Sequence, residues 1–277
     1  MLVLLVAGAA GAPSLRSAPP SPEPLAFGVL NQRSVSLTAE YWNPILEWVS
    51  RRSGVSLRLR MGKTATETTR MTVQGEFAFV YTNHLFSPER VRLGYRVLAR
   101  ADTEGIQGAV VVRSGSGPKS LAGLRGKTVV FPSEEAFAGF LVPMDALVRA
   151  GVDVSPVFAG NQEGALAQLF AGRADAAGVN SSFARDYARR EGMTYGVLWA
   201  SETYPDLCVM ARPDVPAAAV EAVRRALVSM ARDPEGGRIL SAGATLLNLP
   251  SATGFVESDD VQYEPYRRFY RTTLVKE

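Results

Sequence analysis

Residues with chemical reach are few in this chain, and they gather where apolar runs end. Ser133, Glu134, Glu135 and Phe137 follow the run Thr128–Phe131 and open a helical pattern from Ala136 to Ala150. A loop feeding a helix presents unpaired backbone N–H groups at the positive end of the helix dipole, which suits an anion or a polar ligand group. The two glutamates would favour a cationic ligand there, or simply complement the dipole. Tyr81, Asn83 and His84 close a second run, Phe77–Tyr81, where they can meet a ligand or terminate a strand, Asn83 through an Asx-turn. Thr64, Thr66 and Glu67 begin another helical pattern, in which capping competes with ligation. Gln162, Asn180 and Ser182 are neutral hydrogen-bonding groups beside two further runs, and Tyr204 and Asp206 precede the lone Cys208.

Covalent chemistry is poorly supplied. A single cysteine excludes an internal disulfide and a thiol-ligated metal cluster. A single histidine removes most zinc sites and histidine-based triads. Ser133 and Ser201 have no base of suitable spacing except His84, so no enzyme, metal or cofactor is expected. Cys208 reads as a buried inert thiol, the alternative being a thiolate for a soft metalloid. Binding is the function to test.

The elements that must position these groups follow from periodicity. Leu25–Leu30 is a strand running into the polar loop Asn31–Ser34. A helix follows over Thr38–Ser53, with Thr38 as its cap and Gly54 as its stop. Val55–Arg60 alternates as a strand, Lys63–Thr72 turns helical, and Phe77–Tyr81 is a buried strand. Two strands in succession, Tyr95–Ala101 and Gly108–Arg113, break this rhythm. It then restarts through Thr128–Phe131, Ser155–Phe158, Ala176–Val179 and Tyr195–Trp199 with helices between them. After Leu207–Ala211 the chain is helical over Pro216–Arg232 and Glu235–Ser241, then irregular, with a last helix over Glu264–Tyr270.

The fold class expected is α/β, with two lobes, each a mainly parallel sheet flanked by helices, and two crossings between them. Residues 25–106 and 202–277 form one lobe and residues 107–201 the other. A ligand cleft lies between such lobes at the carboxyl ends of the strands. Tyr81, Asn83, Glu135, Phe137, Gln162 and Asn180 are expected to line it together.

At 277 residues with 47% hydrophobic and 21% charged content, the chain can bury real cores. A net charge of +3 without a dense basic run argues against nucleic acid. The apolar start Met1–Ala12 is too short to span a bilayer but fits a cleavable export leader, and Ser17–Pro24 reads as a linker. The protein is expected outside the cytoplasm, as a monomer.

Six segments in order resemble the periplasmic phosphonate/phosphite-binding proteins of bacterial ABC importers, which have the type II periplasmic binding fold. They are Gly75–Tyr81, Ser120–Thr128, Gly139–Pro143, Gly160–Leu166, Gly172–Ala177 and Leu198–Ser201. The resemblance implies a solute-binding protein that closes on a small polar ligand and hands it to a membrane permease. The same fold can instead report to a sensor kinase or chemoreceptor, and gene neighbourhood would separate the two. In the family, a Ser-Thr-Ser run before Gly-Phe-Leu-Val-Pro grips the phosphonate oxygens; this chain has Ala136-Phe137-Ala138 there. The family's next histidine corresponds to Gln162, and its amine-binding acid to Ser182. Losing such charge-assisted bonds costs on the order of 1.5–3 kcal/mol each, so methylphosphonate, phosphite and phosphate are expected to bind weakly.

Overall fold

The computed structural model describes residues 23–115 and 117–275. The expected leader, and the linker up to residue 22, lie outside the described residues. The first stretch comprises β1 (Leu25–Val29), α1 (Val35–Ser53), β2 (Leu57–Arg60), α2 (Ala65–Val73), β3 (Phe79–Thr82) and β4 (Arg96–Ala101). The second comprises β5 (Gly108–Arg113), β6 (Thr128–Phe131), α3 (Val142–Arg149), β7 (Ser155–Phe158), α4 (Gln162–Phe170), β8 (Ala176–Asn180), α5 (Ser181–Arg190) and β9 (Tyr195–Ala200). The chain then returns through β10 (Cys208–Ala211), α6 (Ala217–Ser229), α7 (Pro234–Leu246), β11 (Phe255–Glu257) and α8 (Glu264–Thr272).

Two sheets result, ordered β11-β4-β10-β3-β1-β2 and β7-β6-β8-β5-β9. Parallel pairing is confined to β2-β1-β3 and β7-β6-β8. In each sheet a strand runs against its block: β10 is antiparallel to β3 and β4, and β5 to β8 and β9. Both sheets are therefore mixed. The crossings β4 to β5 and β9 to β10 are tied by reciprocal backbone bonds between Ile106 and Tyr204, each 2.8 Å long.

Local chemistry explains the element ends. Ser34, rather than Thr38, caps α1, its hydroxyl accepting from the Leu37 amide at 3.4 Å. Thr38 lies one turn inside and bonds back to the Ser34 carbonyl at 2.8 Å. Gly54 closes the helix at φ 72°, a conformation costly for residues with a Cβ. Two expectations fall short. Helix α7 extends to Leu246 through Gly236, Gly237 and Gly243, where packing overrides poor helix propensity: Gly236 lies against Met230 and Gly243 against Tyr41. The segment expected to be irregular contains β11, which extends the first sheet on β4.

The core around the first sheet holds Phe27, Trp42, Trp48 and Phe79, all buried. The second sheet is packed on both faces, by Leu166 and Phe183 on one and by Phe131 and Leu147 on the other. A fourth cluster joins the two halves: Phe137 and Leu141 meet Tyr204, Tyr263, Tyr266 and Phe269.

Candidate functional site

The strand-end loops converge on two spaces of very different size. The larger is a cavity of about 660 Å³. Its walls are the loop after β1 with Gln32 and Arg33, the first turns of α1 with Tyr41 and Trp42, and Tyr81 at the end of β3. The crossing residues Asp102 to Gln107, the start of α5, and the segment from Leu247 to Phe255 complete it. The smaller space holds about 20 Å³, room for about one water molecule. Asn83, His84, Ser133, Phe137 and Gln162 surround it, and Asn180 stands between the two spaces.

The residues singled out in sequence are thus divided. Tyr81, Asn180 and Ser182 line the large cavity. Tyr81 stacks at a tilt on Trp42 with ring centroids 4.9 Å apart, and burial pushes its phenol pKa well up. The Asn180 side-chain oxygen caps α5, accepting from the amides of Ser182 at 3.0 Å and Phe183 at 3.3 Å. Its own amide donates to Gln162 Oε1 at 3.1 Å. Gln162 and Asn180, expected as a pair of ligand donors, therefore hold each other and the helix start.

Four residues expected in the cleft are packed inside. Phe137 is 1% exposed and lies 4.0 Å from the Tyr266 ring, with Tyr204 edge-on at 4.8 Å. It begins a π-helical turn, Phe137–Leu141, before α3, so the expected helix from Ala136 starts with a wide turn. Tyr204 belongs to the same aromatic cluster and to the crossing. Asn83 donates to the Tyr266 hydroxyl at 3.2 Å. His84 Nδ1 lies 2.8 Å from Thr69 Oγ1, and burial, reinforced by nearby Arg90, lowers its pKa to about 3. Aromatic packing against the α8 face accounts for Phe137, Tyr204 and Asn83, and the Thr69 hydroxyl of α2 for His84; a strand end can feed a core as readily as a cleft.

Ser133 is buried beside the small space, and its hydroxyl has no partner among the described residues. Thr66 donates from Oγ1 to Glu135 Oε2 at 3.1 Å, and neither residue lines either space. Cys208 is fully buried, donates to the Thr82 carbonyl at 3.3 Å, and has its pKa raised by burial, so the soft-metalloid alternative lacks an accessible thiol. Among the described residues no cluster of three or more His, Cys, Asp or Glu side chains could hold a metal.

Across the mouth the two halves are latched. The Glu163 amide donates to the Gln32 carbonyl at 3.1 Å, and the Ser34 amide donates to Glu163 Oε2 at 3.0 Å. The other Glu163 oxygen pairs with Arg190. The Ala65 amide reaches the Gly160 carbonyl at 3.0 Å, and Arg189 reaches the Asn248 carbonyl at 2.8 Å. On the opposite side, Asp145 Oδ1 accepts from Thr273 Oγ1 at 3.0 Å and from the Leu274 amide at 2.7 Å. The geometry is that of a closed cleft.

Arg33 was missed in the sequence. Its guanidinium lies 4.6 Å from the ring centre of Phe183, and its buried Nε has no partner among the described residues. Burial pulls its pKa down, opposed by Tyr41 and Glu163. The strand-end rule that selected Tyr81 and Ser133, applied to Leu25–Leu30, would have selected it too.

The model of the family described as the periplasmic substrate-binding protein of phosphonate ABC transporters matches residues 27–263. No curated protein matches the chain in sequence. Among solved structures, a binding component of an ABC phosphonate transporter from Pseudomonas aeruginosa superposes with a TM-score of 0.73 at 17% identity, covering 89% of this chain and 86% of that one. PhnD1 from Prochlorococcus marinus, in complex with methylphosphonate, gives 0.75 at 17% identity over 91% and 98%. An ancestral arginine-binding protein bound to arginine gives 0.56 at 17% identity over 79% and 96%. At these identities the likenesses establish the type II periplasmic binding fold.

Proposed function

The chain belongs to the periplasmic substrate-binding proteins of phosphonate ABC transporters, and from that premise we propose that its ligand is an organic molecule held in the large cavity rather than a small oxyanion at the Ala136–Ala138 loop. One observation carries this. At the loop where the resemblance places phosphonate, Phe137 fills the space and leaves about 20 Å³, against about 660 Å³ next door. A pocket of several hundred cubic ångströms suits a drug-sized ligand; a void for one water does not suit methylphosphonate.

Residues 25–106 with 202–277 act as one lobe and residues 107–201 as the other, rotating about the paired crossings at Ile106 and Tyr204. Glu163 fastens the closed form by gripping both sides of Arg33. Tyr81, Asn180 and Ser182 contact the ligand, with Trp42 and Tyr41 beside them. Asn83, His84, Phe137, Gln162 and Tyr204 support the scaffold, and Thr66, Glu135 and Ser133 lie outside the contact set. The closed, loaded monomer then docks on the importer's permease.

Calorimetry with methylphosphonate, phosphite and phosphate tests the ligand class. The expected dissociation constants lie above about 1 mM, weaker than about −4 kcal/mol. Submicromolar binding of any of the three would return the ligand to the small site.

A further inference from the structure

We infer that Arg33 is the anion anchor of the large cavity and that the ligand it takes is a monocarboxylate on a flat, apolar body. The inference rests on the proposal that this cavity is the ligand site. Its guanidinium is half-buried, lies 4.6 Å from the Phe183 ring centre, and has neither a hydrogen-bond nor an ion-pair partner among the described residues. The other arginine lining the cavity, Arg185, stands 3.5 Å from Asp186. Glu163 is near enough to Arg33 to offset part of its burial but forms no ion pair with it, and a cation withdrawn from water without a directly bonded partner is unfavourable until one arrives. The unused donor at Nε is one side of the fork that grips a carboxylate with two parallel bonds.

The position is also prepared. The residues before and after Arg33 are the two that Glu163 holds, through the Gln32 carbonyl and the Ser34 amide. The ring under the guanidinium belongs to α5, on the other side of the cleft. Arg33 therefore reaches its place only when the cleft shuts, which ties anion capture to closure.

The charge and shape of the ligand follow from the remaining walls. Asp102, Glu104 and Asp206 face the same cavity. One guanidinium balances one negative charge; a second charge, as on a phosphonate dianion, would face those acids without compensation. The wall formed by Tyr41, Trp42 and Tyr81 is aromatic, with neighbouring centroids 6.0 and 4.9 Å apart. Such a wall receives a flat apolar body.

The test uses the full folded chain and four carboxylates, benzoate, phenylacetate, indoleacetate and hexanoate, each beside its primary amide. Calorimetry is expected to find binding of at least one aryl carboxylate, with its amide and hexanoate weaker. Arg33→Gln should weaken that carboxylate by about 10- to 100-fold and leave the amide unchanged. Ser182→Trp, which obstructs the cavity, should abolish both. Independently of any ligand, Arg33→Met should leave the melting temperature of the ligand-free protein unchanged or raise it, because a buried charge without a bonded partner is removed. A clear fall in that temperature would make Arg33 a structural group and overturn the anchor. So would binding of none of the carboxylates, or a carboxylate that ignores Arg33→Gln but is blocked by Ser182→Trp; the latter leaves the cavity standing as the ligand site. A carboxylate that ignores Ser182→Trp overturns the anchor and the cavity together.

Discussion

The two ends of the cleft are built alike and filled differently. Each has a strand end, a polar loop and a following helix: β1 into α1 at the large cavity, β6 into α3 at the small one. Each also keeps a buried polar atom without a partner among the described residues, Arg33 Nε at one end and Ser133 Oγ at the other. At the α3 end, Phe137 has taken the space, wedged among Tyr204, Tyr266 and Phe269. At the α1 end the aromatic side chains line the walls and leave the middle open. The shared backbone plan does not distinguish the two ends; the side chains that enter or vacate each loop do. Room for one water is enough to satisfy a neutral hydroxyl, whereas a cation beside a large cavity calls for an anion.

The sharpest way to break this comparison is to empty the filled end. Phe137→Ala should destabilise the protein by about 3–5 kcal/mol, because a fully buried ring leaves a cavity among aromatic neighbours that cannot collapse into it. Urea unfolding measures this directly. A loss below about 1 kcal/mol would mean that Phe137 is loosely held and that the small end is open to ligand after all.

The same end should also report on pH through His84. Its pKa is lowered from 6.5 to about 3, first by burial and then by Arg90. The unfolded chain therefore binds the proton and the folded chain does not between those values. The stability contribution is complete above pH 6.5 and is lost as pH falls toward 3. At pH 5 the loss is about 2 kcal/mol. Unfolding at pH 7.5 and 5.0 should show it in the parent protein and less of it in His84→Gln. Equal pH dependence in both proteins would place the titration elsewhere.

The open end is sharpened through its latch. Glu163→Gln retains a side-chain acceptor for the Ser34 amide but loses the charge paired with Arg190, so the closed form should weaken by about 1 kcal/mol. Small-angle scattering should then show a larger mean radius for the ligand-free variant. An unchanged radius would mean that the remaining cross-mouth bonds, from Ala65 to Gly160 and from Arg189 to Asn248, suffice.

Much of this fold could be read from the chain because several strands, such as β3, β5 and β6, are apolar runs and α1, α2, α4 and α5 start at Ser34, Thr64, Asn161 and Asn180. Gly108–Arg113 and Thr128–Phe131 end where periodicity placed them. Helix α7 was underestimated because its glycines signal a break that packing on Met230 and Tyr41 overrides. β11 escaped because three residues, Phe255–Glu257, are too few to show alternation. At the site, replacement of the hydroxyl run by Ala136-Phe137-Ala138 was visible, and it is the ground for expecting weak binding of methylphosphonate, phosphite and phosphate. That Phe137 would turn inward was not visible, since its partners lie more than sixty residues away, on the second crossing and on α8. Arg33 was within reach of the rule that selected its counterparts.

The smallest effect expected belongs to Thr66 and Glu135, the pair nearest the mouth that touches neither space. Sequence marked both as ligand groups, one from each side of the cleft. Their single bond is 3.1 Å long with Thr66 exposed, so water competes for both partners and the net value is small. Thr66→Ala should change unfolding free energy by no more than about 0.5 kcal/mol. It should also leave binding of any ligand found for the large cavity within about twofold, well under the tenfold that 1.4 kcal/mol represents. Neighbouring backbone bonds, including that from Ala65 to Gly160, keep this side of the mouth aligned without the hydroxyl. A tenfold loss of affinity in Thr66→Ala would show that the ligand reaches past Asn180 toward α2, and that the two spaces act as one site.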